Sequence, residues 1–260
     1  EIVVLGAKNA AIKMIAASCL FDKIVTLDNV PDILDIQKII QILQIMGVKF
    51  KRLKHRLIID PRKLQPKDPD PKLVKTIRAS IVLVGPLLAR FGKVSIPHPG
   101  GCVIGSRPID LHIKAFRDLG VKVTEDKNGY VFILQNKIMD QVYFKKISVT
   151  ATENILLFAS AISKPINISN VAIEPEVKDL IEFLKKAGVR FKVAGRKIKV
   201  KGTSKLKGVK YRVMPDRIEA GTFAILAATA QSDLKITQLN TGHLRNLLDK
   251  FKKMNISFEI

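Results

Sequence analysis

Val177-Lys178-Asp179-Leu180-Ile181-Glu182-Phe183-Leu184-Lys185-Lys186-Ala187-Gly188-Val189-Arg190-Phe191-Lys192-Val193 holds an amphipathic helix, a turn and the start of a strand in one stretch. Val177, Leu180, Ile181, Leu184 and Ala187 recur at i, i+3, i+4, i+7 and i+10, which places them on one helix face. Superimposing the turn Gly188-Val189 on Gly47-Val48, Gly120-Val121 and Asn255-Ile256 aligns four segments at a period of roughly 70 residues. The first copy gives the stripe Ile36, Ile39, Ile40, Leu43, Met46, and the fourth gives Leu244, Leu247, Leu248, Phe251, Met254.

Outward from each stripe the same order repeats. A short strand of β-branched and apolar residues precedes the helix, at Ile24 to Leu27, Val94 to Ile96, Ile166 to Ile168 and Leu234 to Thr237. Before that strand lies an alanine-rich helix such as Ala10 to Leu20. After the turn comes a hairpin, expected to pair Val48 to Phe50 with Leu57 to Ile59, Val121 to Thr124 with Tyr130 to Ile133, and Val189 to Val193 with Ile198 to Val200. In the fourth unit Ile256 to Ile260 reads as the first hairpin strand, without a mate. Glu1 is not a start methionine and Ile2 to Leu5 begins as a strand, so both ends read as cuts through a larger design. The fold class is α/β, built from repeated units.

A chain of 260 residues with 47% hydrophobic content can bury a large core. No run of about 18 apolar residues and no cleavable leader pattern occurs, so neither a membrane span nor a signal peptide is indicated, and the cytoplasm is the default compartment. The formal charge of +22 raises nucleic acid as a partner. The cations, among them Lys185-Lys186, Lys197, Lys199, Lys201 and Lys252-Lys253, read as spread over helix faces and strand ends with few aromatics between them. A solvated basic surface fits this scatter best, and a field that draws in a small polyanionic substrate fits it at least as well as nucleic acid does.

The second unit differs from the others. Its stripe is Ile109, His112, Ile113, Phe116, Leu119, so a histidine stands where the other copies have Ile39, Leu180 and Leu247. Taken alone, His112 reads as a core histidine hydrogen-bonded to backbone. The loop before it, Pro97-His98-Pro99-Gly100-Gly101-Cys102-Val103-Ile104-Gly105-Ser106-Arg107-Pro108, exceeds its counterparts by roughly four to six residues, and such length at one repeat serves a site. Its glycines let backbone approach a ligand, Pro108 suits the first turn of a helix whose amides attract anions, and Arg107 offers a forked cation to phosphate. Cys102 is a candidate proton donor or nucleophile, Asp110 and His112 can hydrogen-bond a neutral sugar or base, and Cys19, beside Ala16-Ala17, reads as core. Three strand-to-helix entrances add cations or hydroxyls suited to phosphate: Gly6-Ala7-Lys8-Asn9-Ala10, Ile77-Arg78-Ala79-Ser80 and Lys146-Ile147-Ser148-Val149-Thr150-Ala151-Thr152.

With these blocks in view, Gly6-Ala7-Lys8-Asn9-Ala10, Arg78-Ala79-Ser80, the run Gly101-Cys102 to His112 and Pro215-Asp216-Arg217-Ile218-Glu219-Ala220-Gly221-Thr222 resemble bacterial UDP-N-acetylglucosamine 1-carboxyvinyltransferase along essentially the whole chain. The resemblance implies an inside-out α/β barrel of βαβαββ units in two domains. Residues 6–217 would form the first domain, and 1–5 with 218–260 part of the second. It implies an enzyme that moves the enolpyruvyl group of phosphoenolpyruvate to the sugar 3-hydroxyl, the first committed step of peptidoglycan synthesis. Neither a cofactor nor a metal is implied.

By the same resemblance Cys102 is the catalytic thiol, and Lys8 and Asn9 contact phosphoenolpyruvate. Arg78, Arg107, Pro108, Ile109, Asp110, Leu111 and His112 would hold the nucleotide sugar, with Lys146, Ser148 and Val149 on its uridine diphosphate. Thr150 stands where glycine is usual. The family's general-base aspartate and phosphoenolpyruvate-gripping arginines, carried in the last third of longer members, have no counterpart here. These residues alone are therefore expected not to turn substrate over. The competing reading is a non-catalytic remnant that binds UDP-sugars or, through its charge, nucleic acid.

Overall fold

The computed structural model describes residues 1–98 and 108–260. After β1 (Ile2–Val3), the first unit runs α1 (Lys8–Ala17), β2 (Val25–Asp28), α2 (Leu34–Ile45), β3 (Lys49–Leu53) and β4 (Arg56–Asp60). The short α3 (Pro71–Val74) and a 3₁₀ turn at Arg78–Leu83 lead into the second: α4 (Val84–Phe91), β5 (Lys93–Pro97), α5 (Asp110–Asp118), β6 (Lys122–Asp126) and β7 (Gly129–Ile133). The third is β8 (Gln141–Tyr143), α6 (Val149–Ser160), β9 (Ile166–Ser169), α7 (Pro175–Lys186), β10 (Arg190–Ala194) and β11 (Lys197–Lys201), a full βαβαββ unit. β12 (Val209–Arg212), α8 (Arg217–Thr229), β13 (Ile236–Thr237) and α9 (Arg245–Lys253) follow.

The aligned turns share one conformation. Gly47, Gly120, Gly188 and Asn255 have φ of 99°, 84°, 104° and 56°, the left-handed region that glycine enters freely and asparagine tolerates. The next amide in each copy returns to the carbonyl five residues back, from Val48 to Leu43, Val121 to Phe116, Val189 to Leu184 and Ile256 to Phe251, at 2.9 to 3.1 Å. This closes the helix end and starts the next strand in the same place each time.

Each of the three expected hairpins forms, with Phe50 opposite Ile59, Val123 opposite Phe132 and Phe191 opposite Val200. The sheets are β12-β2-β4-β3, β5-β7-β6 and β8-β9-β11-β10, with a two-stranded β1-β13. In three of them a parallel strand flanks the strand that follows the unit's first helix: β8 beside β9, β12 beside β2, and β1 beside β13. Strands such as β11, with Ile198 and Val200 inward and Lys197, Lys199 and Lys201 outward, give each sheet one buried and one wet face.

Two of the helices that open the units, α1 and α6, are buried all round. Residues Ala10 to Ala17 of α1 and Ala151 to Ser160 of α6 are buried without a break, as expected for helices that lack a polar face. The second helices, such as α2, bury one stripe only. Most of the described core is one continuous apolar cluster, whereas Val4, Ala220 and Leu244 form a small separate one.

Several expectations are corrected. The first helix begins at Lys8 rather than Ala10, and Ser18–Leu20 closes it as a 3₁₀ turn. Strand structure at the N-terminus stops at Val3, and Leu234 and Lys235 lie outside β13. Ile256 to Ile260 is not a strand, because no neighbouring strand takes up its backbone groups.

The two apolar clusters meet where the segments 5–7 and 213–216 run side by side. Ala7 N–H donates to the Met214 carbonyl (2.7 Å) and Asp216 N–H to the Leu5 carbonyl (2.8 Å). Asn29, at φ 61°, donates its amide to the Val213 carbonyl (3.0 Å). Its own carbonyl oxygen lies 1.7 Å from where a Cβ on Gly6 would sit, so only glycine fits there. Gly6→Ala is therefore expected to destabilise the protein by about 3 kcal/mol, read from the urea midpoint; an unchanged midpoint would contradict this packing.

Candidate functional site

Three of the sequence's candidate segments meet at the start of two helices. Arg78, half-buried at the head of the 3₁₀ turn, donates from Nη2 to the Pro108 carbonyl (3.2 Å), which ties it to the entrance of α5. Ile109 is the N-cap of α5, and Asp110 adds an acidic group in its first turn, favourable to the helix dipole. Asp110 is exposed, Leu111 half-buried and His112 buried. Ser148 caps α6 by accepting the Ala151 N–H at 3.3 Å, Val149 begins the helix, and Lys146 is exposed just before it. Cys102 and Arg107 lie outside the described residues.

His112 is the hinge of this group. Its Nδ1 lies 3.1 Å from Asn154 Nδ2 and its Nε2 lies 3.3 Å from Thr150 Oγ1, so α5 is stitched to α6 on both sides of the ring. Burial, reinforced by the positive charge of Arg78, pushes the imidazole pKa from 6.5 down to about 3, so the ring is neutral at physiological pH. The expectation of a core histidine bonded to backbone is thus half right: the ring is in the core, and its partners are side chains.

Lys8 and Asn9 open α1. Lys8 Nζ pairs with Asp35 at 2.8 Å, both groups partly exposed, and the Lys8 N–H donates to Asp216 Oδ2 at 3.3 Å. Asp216 Oδ1 also accepts the Ile218 and Glu219 amides, so one carboxylate joins the starts of α1 and α8. Asn9 is exposed, and its carbonyl accepts Lys13 Nζ at 2.8 Å.

Sequence reading missed the pair beneath these segments. Lys13 and Glu153 lie 3.0 Å apart with side chains 4% and 0% exposed, linking α1 to α6. Burial pushes the Glu153 carboxyl up, with Glu176 and Glu174 acting the same way, while Lys13 opposes the rise. Glu176 in turn takes both arms of Arg217, at 2.9 and 3.2 Å. The signal was a lysine among alanines in α1, and the charged Glu153 beside Asn154 in the largely apolar α6. Cys19 is core as expected, its thiol pushed up to about 12 by burial.

The cations are less scattered than the sequence reading held. Arg190, Lys192, Lys197, Lys199 and Lys201 share the wet face of the β10–β11 hairpin, because alternation points them all one way. Among the described residues no cluster of metal-binding side chains occurs, and no helix is long and apolar enough to cross a membrane. One cavity of about 460 Å³ lies between Leu5, Asn29, Arg56 and Arg212, and another of about 1490 Å³ beside α8 and α9. Neither of these two is lined by a candidate residue.

The repeated βαβαββ plan with inward helices is that of an enolpyruvyl transferase. The structure matches the enolpyruvyl transferase NikO from Streptomyces tendae with a TM-score of 0.86 over 100% of this chain and 63% of that one, at 17% identity. It matches an EPSP synthase from Acinetobacter baumannii with a TM-score of 0.68 over 87% of this chain and 52% of that one, at 20% identity. At such identities the likeness concerns the fold.

The chain belongs to the EPSP synthase (3-phosphoshikimate 1-carboxyvinyltransferase) family, whose model matches residues 1–260. Within that family it is 41% identical over 257 residues to the UDP-N-acetylglucosamine 1-carboxyvinyltransferase of Pelagibacter ubique (strain HTCC1062), covering 98% of this chain and 61% of that protein. It is 40% identical over 257 residues to the protein of the same name from Koribacter versatilis (strain Ellin345), covering 96% and 59%. The chain thus spans about three fifths of the length of these curated relatives.

Because His112 is held below its unfolded pKa, the unfolded chain takes up a proton that the folded chain refuses. Its contribution is complete above pH 6.5 and falls toward the folded value of about 3, by about 1.4 kcal/mol per pH unit. Urea unfolding at about pH 7 and about pH 5 is expected to show a smaller loss on acidification for His112→Gln than for the parent; equal losses would refute a neutral buried ring.

Proposed function

We propose that this chain is the nucleotide-sugar-holding part of a UDP-N-acetylglucosamine 1-carboxyvinyltransferase acting in cytoplasmic peptidoglycan synthesis, and thus in cell shape and division. Residues 6–217 form its first domain, and 1–5 with 218–260 belong to the second. The observation that carries the reading is the convergence of Arg78, Pro108 to His112 and Ser148 to Thr150 on the starts of α5 and α6. Relatives of that name at about 40% identity support it, against 20% for the solved EPSP synthase.

In the reaction the sugar 3-hydroxyl attacks C2 of phosphoenolpyruvate as C3 takes up a proton. The tetrahedral intermediate then loses that C3 proton and inorganic phosphate, leaving the enol ether. Cys102 is the thiol that assists proton transfer, and Lys8 with Asn9 faces phosphoenolpyruvate. Arg78, Arg107, Pro108, Ile109, Asp110, Leu111 and His112 hold the nucleotide sugar, while Lys146, Ser148 and Val149 meet its diphosphate. Fixed cations and helix-start amides aimed at anionic groups need no rearrangement when charge develops. The base and the remaining phosphate clamp belong to the part of the relatives that this chain does not span.

Calorimetric titration with UDP-N-acetylglucosamine is expected to show binding, weakened about tenfold or more by Arg78→Ala, with no phosphate released on adding phosphoenolpyruvate. Steady phosphate release would place a base within these residues and overturn the division of labour. Absence of binding would reduce the family likeness to ancestry.

A further inference from the structure

Asn154, buried in α6, makes three hydrogen bonds whose directions leave no freedom. Its Oδ1 lies 2.7 Å from the Gly85 N–H, which can only donate, and its Nδ2 lies 2.9 Å from the Ile81 carbonyl, which can only accept. The amide orientation is therefore set by backbone rather than by the histidine beside it. The second Nδ2 hydrogen points at His112 Nδ1, 3.1 Å away, and needs a lone pair there. A neutral ring with a lone pair on Nδ1 carries its proton on Nε2, and that atom faces Thr150 Oγ1 at 3.3 Å. Thr150 Oγ1 accepts the hydrogen bond from Nε2–H, and a hydroxyl used as an acceptor still has its own hydrogen to give.

We propose that Asn154 is a positioning residue that fixes His112 in the Nε2–H tautomer, so that the Thr150 hydroxyl is left to donate to an anionic group of the ligand at the start of α6. The inference rests on the reading of that helix start as the diphosphate subsite. Thr150 is half-buried, in the first turn of α6. Ser148, two residues earlier, accepts the Ala151 amide at its hydroxyl oxygen and by the same logic keeps its own hydrogen to give, so Thr150 adds a second hydroxyl donor at this helix start. Position 150 is also where the family resemblance expects glycine, so this donor is particular to the present chain. Hydrogen bonds linked in one direction polarise one another, which strengthens the last donor.

Two measurements test the chain of bonds. In ¹⁵N spectra at about pH 7, with the His112 signals assigned by their loss in His112→Gln, Nδ1 is expected to be unprotonated and Nε2 protonated. Asn154→Asp, which removes the donor at nearly constant shape, is expected to move a proton onto Nδ1. A parent ring protonated at Nδ1, or a ring indifferent to Asn154→Asp, would overturn the positioning role. By calorimetry with UDP-N-acetylglucosamine, Thr150→Val is expected to bind about tenfold more weakly, and Thr150→Ser to retain the parent affinity. Equal binding by Thr150→Val would overturn the donor while leaving the proposed function standing. Failure of the parent chain to bind would instead remove the proposed function and leave the tautomer result to be judged by itself.

Discussion

Burying a helix on every side is the constraint from which the rest of this structure follows. A helix with one wet face can keep charge there, but α1 and α6 have no such face, so their neighbours must come close and any polar group must find a partner inside. Close approach explains the alanines of α1 and also Gly85 of α4, where a Cβ would come within 2.3 Å of the Asn154 carbonyl oxygen. Charge pairing explains why Lys13 meets Glu153, although Glu153 Oε1 is left without a hydrogen-bond partner, and internal hydrogen bonding explains why Asn154 serves α4, α5 and the 3₁₀ turn together.

Those interior polar contacts connect the fold to the site. Of the described candidate residues, Lys8, Asn9, Asp110, Leu111, His112 and Val149 sit on the first turns of α1, α5 and α6, and the groups that hold these helices in register lie one or two turns deeper. Lys13 reaches the carbonyl of Asn9, and Asn154 reaches the ring of His112. A buried ion pair adds little net stability, but breaking one partner away is costly, so such pairs favour one arrangement over its neighbours. α8 shows the same sequence character without the same surroundings. It is apolar nearly all round, yet Ile218, Ile225 and Leu226 are exposed and only Ala220 and Gly221 are buried.

Much of this was legible in the amino-acid sequence because repetition multiplies weak signals. One helical stripe is ambiguous, but four stripes ending at Gly47, Gly120, Gly188 and Asn255 located the helices that precede the turns and the strand pairs of the three hairpins. His112 stood out only as a break in that pattern. The partners of His112 were not legible, since Asn154 lies far along the chain and its role depends on how α4, α5 and α6 pack. The extent of Ile256 to Ile260 was misjudged because strand propensity without a neighbouring strand leaves backbone groups unpaired. The grouping of Arg190, Lys192 and the alternate lysines of β11 was also hidden, although strand alternation was there to reveal it.

The central claim, that a nucleotide sugar is held at the starts of α5 and α6, is tested most directly by following backbone amide signals during titration with UDP-N-acetylglucosamine. The account predicts saturating shifts at Ile109 to His112 and at Ser148 to Thr150, with the β10–β11 face undisturbed. Shifts confined to Arg190, Lys192, Lys197, Lys199 and Lys201, or no shifts at the helix starts, would contradict it.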